Sequence, residues 1–326
     1  MSSTPRLECA DVDPSPLGQP LHFAFSGRTA PNRFLKGAMS ERLASFSSDN
    51  LDARGILSPA LIHAYKCWGE GQIGVSLTGN VMIDPDHLEA AGNPVIPRGA
   101  DFSGERFERF KELATAGKAK GCLIIAQVGH PGRQTPEHLQ PHPISASDVQ
   151  VKAGTQGMTF GKPRPATTED IANIIDGFAH AAEYLDKAGF DGIQLHGAHG
   201  YLLSQFLSPT TNLRTDEYGG DLKNRMRLIL EVRDEIAKRV RKDFVVGIKV
   251  NSVEFQEKGF QPDEAKELCQ ALEEHQFDFV ELSGGTYENW PLSQHKREST
   301  MEREAVSVHN FLLFLSDQFH EIIFTP

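Results

Sequence analysis

Residues 194–220 read QLHGAHGYLLSQFLSPTTNLRTDEYGG, and the fold of the chain is best read outward from them. The apolar run from Phe190 to Leu195, interrupted by Asp191, Gly192 and Gln194, reads as a buried strand. His196, His199 and Tyr201 crowd its carboxyl end around Gly197 and Gly200. In a parallel α/β barrel that end is the mouth, where strand-to-helix loops gather the reacting groups.

On either side of this stretch, apolar β-rich runs alternate with amphipathic helical patterns. The runs lie around Phe34–Met39, Gly74–Ile83, Cys122–Val128, Phe190–His196, Phe244–Val250 and Phe277–Ser283, with the terminal HEIIFTP a candidate seventh. Several helices carry start and stop signals. Ser58-Pro59 supplies an N-cap with proline at the first helical position, and Glu169 and Asp170 put acids in another first turn. Gly121 and Gly189 fall just beyond helical patterns, where a left-handed cap is wanted. Alternation of this kind implies right-handed βαβ units and a parallel sheet. Periodicity alone leaves an open doubly wound sheet and a closed barrel both standing. No Gly-x-Gly-x-x-Gly follows the first strand, which speaks against a Rossmann dinucleotide site.

Composition narrows the function classes. The 326 residues suffice for one large barrel, and a hydrophobic fraction of 39% can fill its core. With Lys+Arg 33 against Asp+Glu 44, the net charge of −11 disfavours bulk binding to nucleic acid or anionic membranes. Cys9, Cys67, Cys122 and Cys269 are scattered and form no CxxC pair, so reduced, mostly buried thiols are expected. No apolar run approaches the ~18 residues of a membrane span. The opening MSSTPRLECADVDPSP lacks the apolar core of a secretory signal, and a cytoplasmic protein is the expectation.

The HGAHGY motif (His196 to Tyr201) and the segment from Asn212 to Gly220 resemble the signature of the old yellow enzyme family, flavin-dependent NAD(P)H oxidoreductases. The resemblance extends over most of residues 30–300. It implies a TIM-type (β/α)8 barrel, with residues 1–30 as an N-terminal extension and 31–326 as the flavin oxidoreductase domain. It also implies FMN as cofactor, NADH or NADPH as reductant, and a small electron-poor acceptor such as an α,β-unsaturated carbonyl.

Each site residue has a bland reading beside this one. His196 and His199 could be satisfied strand-end histidines, or two ligands of a metal that lacks a third at suggestive spacing. The resemblance makes them donors to the substrate oxygen, which gains negative charge as hydride adds. Tyr201 could be a core tyrosine; its family counterpart delivers a proton to the carbon beside the activating group, as a phenol of pKa ~10 can at neutral pH. Gln127, at the carboxyl end of the third run, would pair its amide with the flavin pyrimidine edge, which needs a donor and an acceptor side by side. Lys249, in an otherwise apolar strand, either snorkels or pairs with a carboxylate, or faces the reducible ring and favours its anionic reduced form. Gly79 corresponds to a close backbone approach to the flavin, though any tight turn would also want glycine. Met39 and Ser40 end the first run where the family contacts the flavin, and the Ser40 hydroxyl can reach a flavin carbonyl. His130 and Arg133 are read as bracing the mouth, and Asn212, Arg214, Asp216, Tyr218, Gly219 and Gly220 as holding the active-site loop. The KREST segment, Lys296 to Thr300, resembles the family without a clear role.

An eight-unit barrel uses ~30 residues per unit. By that count the barrel is expected to be incomplete at its carboxyl end, lacking the last one or two βα units and the family's glycine-rich closing segment with its arginine. Those loops are the fold's usual phosphate site. Two other readings follow. One is a truncated, weakly flavin-binding or inactive family member acting as a non-catalytic protein. The other is the front domain of larger dienoyl-CoA reductases and amine dehydrogenases, whose iron–sulfur cluster needs closely spaced cysteines that this chain lacks.

Overall fold

The computed structural model describes residues 13–288 and the backbone of strand residues 322–324. A hairpin of Leu21–His22 (β1) and Thr29–Ala30 (β2) comes first, followed by strand Leu35–Lys36 (β3) and helix Pro59–Glu70 (α1). Next come Val75–Met82 (β4), Gly104–Gly117 (α2) and Leu123–Gly129 (β5). A small pair, Ile144–Ser145 (β6) and Arg164–Pro165 (β7), precedes helix Thr168–Lys187 (α3) and strand Gly192–Gly197 (β8). Helices Leu202–Leu207 (α4), Leu222–Arg225 (α5) and Arg227–Ala237 (α6) lead to Val245–Val253 (β9). Helix Pro262–Glu274 (α7), strand Phe279–Gly284 (β10) and strand Ile322–Phe324 (β11) complete the order.

Strands β3, β4, β5, β8, β9, β10 and β11 form one parallel sheet in that order. Neighbours in space are thus neighbours in sequence. A doubly wound sheet reverses its strand order at a switch point, and none occurs among the described strands. The seven apolar runs account for all seven strands, including HEIIFTP. The first run is only partly strand: β3 ends at Lys36, so Met39 and Ser40 lie in irregular backbone beyond it.

Alternation along the strands sorts their side chains into two layers. Ile124, Ala126 and Val128, with Ile193, Leu195, Val246, Ile248 and Val250, face outward into a cluster with Phe110, Phe178, Leu228 and Leu268 of the surrounding helices. The opposite face carries Val75, Leu77, Leu123, Ile125, Val245 and Phe279. These meet in a single cluster although they come from β4, β5, β9 and β10, so the sheet is curled around them. Gly247 makes room in that interior, because a Cβ there would sit 2.3 Å from the Phe279 ring.

The hairpin closes the amino end of this interior. Leu21, Phe23 and Ala30 are buried in the same cluster, and the Phe23 and Phe279 ring centroids are 5.8 Å apart. Part of the segment read as an extension, residues 1–30, therefore serves as the floor of the barrel. The caps form as their residues suggest. Ser58 Oγ accepts from the Leu61 N–H, and Thr167 and Asp170 make a reciprocal capping box at the start of α3. Cys122 and Cys269 are free and buried, Cys67 is free and exposed, and Cys9 lies outside the described residues. No helix among the described residues is long and apolar enough to cross a membrane.

Candidate active site

Above the apolar floor, the inward positions become polar. The register aligns Gln127 with Gln194, and His196 with Lys249 and Glu281, across β5, β8, β9 and β10. All five are buried, as strand parity dictates for the inner face of a barrel. They line or underlie a cleft of about 830 Å3 at the carboxyl ends of the strands. Its walls include Ser40, Asn80, Gln127, His196, His199, Tyr201, Lys249 and Tyr287.

Three of the sequence-predicted residues form a compact group. The His196 and Tyr201 rings stack at 4.0 Å with a 15° interplanar angle, and His199 meets His196 edge-on at 5.4 Å. His199 has a left-handed φ of 57°, uncommon for a residue with a Cβ, and its backbone N–H is held by Asn251 Oδ1 at 3.1 Å. Its Nε2 lies 2.7 Å from Ser283 Oγ. Burial, with His199 and Lys249 close by, holds the His196 pKa well below its ordinary 6.5, so the ring is neutral. The Ala198 N–H faces its Nδ1 at 3.4 Å, which puts the ring proton on Nε2.

The Tyr201 hydroxyl accepts a hydrogen bond from Asn80 Nδ2 at 3.1 Å and lies 3.3 Å from the Tyr287 hydroxyl. Burial and the neighbouring Tyr287 and Glu89 raise its pKa well above 10, while the Asn80 bond pulls the other way. The phenol is protonated at neutral pH. Asn80 also donates to Ser40 Oγ at 3.2 Å, and its own Oδ1 is buried without a partner among the described residues.

Gln127 and Lys249 belong to one chain of hydrogen bonds. Gln127 Nε2 donates to Gln194 Oε1, Gln194 Nε2 to Glu281 Oε2, and Lys249 Nζ to Glu281 Oε1, each at 2.7 Å. Lys249 thus has the carboxylate partner that a buried lysine in an apolar strand requires.

Two expected cofactor contacts fall elsewhere. Met39 is 55% exposed, and neither it nor Gly79 lines the cleft. Gly79 is required for another reason: a Cβ there would lie 2.3 Å from Glu41 Oε2 and 2.4 Å from the Met39 carbonyl oxygen. Its N–H donates to Glu41 Oε1 at 2.9 Å. The close approach at Gly79 is made by the chain itself.

The bracing residues behave as expected. Arg133 bonds the Val149 carbonyl at 3.1 Å and pairs with Glu288 at 2.5 Å. Gln205 ties the two mouth loops together, donating to the Pro131 and Gly200 carbonyls at 3.0 and 2.7 Å. Asn212 donates to the Phe206 and Tyr218 carbonyls, and Arg214 to those of Ala146 and Ala166. Lys296 to Thr300 lie outside the described residues.

Among the described residues, the metal-type ligands that cluster are Asp84, His87 and His130, not His196 and His199. Their tautomers argue against an ion. The Gly132 N–H donates to His130 Nδ1 at 3.0 Å and the Ile144 N–H to His87 Nε2 at 3.2 Å. The nitrogens facing Asp84 therefore carry protons, whereas a metal-bound histidine donates from its far nitrogen. This cluster is a hydrogen-bonded brace behind the mouth.

A curled parallel sheet with a buried His–Tyr pair and a paired lysine at the carboxyl ends of its strands defines a protein of the old yellow enzyme type. The chain belongs to the NADH:flavin oxidoreductase / NADH oxidase family, whose profile matches residues 17–317. It is 66% identical over 278 residues to the NADH-dependent flavin oxidoreductase nadA of Aspergillus parasiticus, an alignment covering 85% of this chain and 63% of that protein. Among solved structures, a 2-naphthoyl-CoA reductase complex superposes with TM-score 0.79 at 21% identity, covering 91% of this chain and 45% of that one. The old yellow enzyme homologue from Zymomonas mobilis superposes with TM-score 0.69 at 23% identity, covering 86% and 79%. These two likenesses concern the fold.

The donor set fits the ring of a flavin. Gln127 spends one amide proton on Gln194 and keeps its carbonyl oxygen and a second N–H, the donor–acceptor pair that a pyrimidine edge needs. Lys249, Ser40 and the unpartnered Asn80 Oδ1 add polar groups to the same cleft. The loops that commonly hold phosphate in this fold, after the seventh and eighth strands, are outside the described residues.

Proposed function

We propose that this chain carries the catalytic cleft of an FMN-dependent NAD(P)H oxidoreductase that reduces electron-poor acceptors such as α,β-unsaturated carbonyls. When bound, the flavin would supply hydride transfer, accepting hydride from the nicotinamide and passing it to the acceptor's β-carbon. Gln127 and Ser40 would orient the ring, and Lys249 would face its reducible part. His196 would donate from its neutral Nε2–H to the acceptor oxygen, with His199 beside it. Donors fixed before reaction stabilise the charge that develops on that oxygen more than they stabilise the ground state. Tyr201 then gives its phenolic proton to the α-carbon.

The observation carrying this reading is the Tyr201 phenol. It is buried and protonated, stacked on a neutral histidine and held at its oxygen by Asn80, which leaves its O–H as a donor, with the Tyr287 hydroxyl 3.3 Å away. The test is spectroscopic. Purified protein supplied with FMN should show a bound flavin band that NADH or NADPH bleaches without oxygen and that an added enone restores. Protein that takes up no FMN, or a bleached band that no enone restores, contradicts the proposal and leaves the non-catalytic alternative.

A further inference from the structure

Glu281 is 0% exposed inside the barrel, in the middle of β10. A carboxylate there must be fully paired, and both of its oxygens are engaged. Oε1 accepts from Lys249 Nζ and Oε2 from Gln194 Nε2, each at 2.7 Å.

An ionised carboxylate has acceptors only, so it dictates the polarity of everything bonded to it. Gln194 must turn its NH2 toward Glu281 and its carbonyl away. That carbonyl can then receive only a donor, so Gln127 must present its own NH2 to it, as it does at 2.7 Å. Which end of the Gln127 amide faces the cleft is therefore decided two hydrogen bonds away. The same carboxylate fixes the Lys249 ammonium and offsets its charge.

We propose that Glu281 is a positioning residue for the flavin, setting the amide polarity of Gln127 and both the place and the effective charge of Lys249. The proposal rests on the flavin reading above. Its consequence is that Lys249 does not act on the ring as a bare cation. A unit charge removed several ångströms from the ring in a protein interior changes a reduction equilibrium by roughly tenfold or more.

The experiment measures flavin midpoint potentials by dye-equilibrated titration in the FMN-loaded protein. Glu281→Gln unmasks the ammonium and is expected to raise the potential by about 30 mV or more, the two-electron equivalent of a tenfold shift. Lys249→Met should lower it, and the double variant should lie between the two. Glu281→Asp retains the charge and is expected to stay near the parent value. Should Glu281→Gln fold poorly, the apo protein still reports the pair: Lys249→Met should be more destabilising than Lys249→Met combined with Glu281→Leu. An unchanged potential in Glu281→Gln, with Lys249→Met shifted, overturns this inference and leaves the flavin reading intact. Potentials unmoved by either substitution overturn both.

Discussion

The Asn80 amide donates to the Tyr201 hydroxyl at 3.1 Å, across 121 residues of chain. Asn80 sits in β4 and Tyr201 immediately before α4, so the bond exists only because the barrel brings these strand ends together. A donor at the phenol oxygen has two effects. It leaves the O–H as the donating group, and it stabilises the phenolate that remains after the proton has gone.

Asn80→Ala should therefore slow acceptor reduction about tenfold, the worth of one hydrogen bond to a group that becomes charged. Flavin reduction by the nicotinamide should change little. Combined with Tyr201→Phe, the Asn80 substitution should cost nothing further, because both remove the same proton delivery. Single-turnover rates of the four proteins check this. Additive losses would mean that Asn80 acts independently of Tyr201.

Buried histidines make stability depend on acidity. Burial lowers the His130 pKa to about 3 and holds that of His196 well below 6.5. Burial pushes the Asp84 carboxyl up, but the His87 hydrogen bond, with His130 and the Asp86 N–H, outweighs it and keeps that carboxyl below the usual range. A histidine depressed in the folded state contributes its full stability above the unfolded value of ~6.5. That contribution is lost as pH falls toward the folded value, because only the unfolded chain takes up the proton. The melting temperature should be flat above pH ~7 and fall steadily from pH ~6.5 toward 4. His130→Asn should flatten the decline, and a slope unchanged by that substitution would remove His130 as a contributor.

Packing inside the barrel gives a prediction independent of chemistry. A Cβ on Gly247 would lie 2.3 Å from the buried Phe279 ring, so Gly247→Ala overfills the interior. The expected cost is about 1–3 kcal/mol by chemical denaturation. Phe279→Leu in the same chain should recover part of that loss. Equal or greater loss in the double variant would place the clash elsewhere.

Much of this architecture is legible in the amino-acid sequence. Apolar runs are the strongest strand signal, and each of the seven runs became a strand. Gln127 and Lys249 stood out because a polar group inside an apolar run needs an explanation. The HGAHGY motif placed His196, His199 and Tyr201 together because they are neighbours in the chain. Met39 was misplaced because β3 ends at Lys36, and beyond a strand end alternation no longer says which way a residue faces. Gly79 lies within β4, where the register with β5 shifts between Leu77 and Asn80 and strict alternation fails. Glu281 was missed, although parity from the buried Phe279 would have put it on the inner face beside Lys249. Asn80 and Tyr287 were missed as well, since their meeting with Tyr201 depends on how loops from separate strands converge.

The account rests most heavily on Tyr201 as the proton donor of the second half-reaction, and anaerobic stopped-flow absorbance of Tyr201→Phe addresses that directly. Flavin reduction by NADH or NADPH should stay within about twofold of the parent, while reoxidation by an enone should slow by roughly a hundredfold or more. Equal losses in both half-reactions, or reoxidation at the parent rate, would contradict the role assigned to Tyr201.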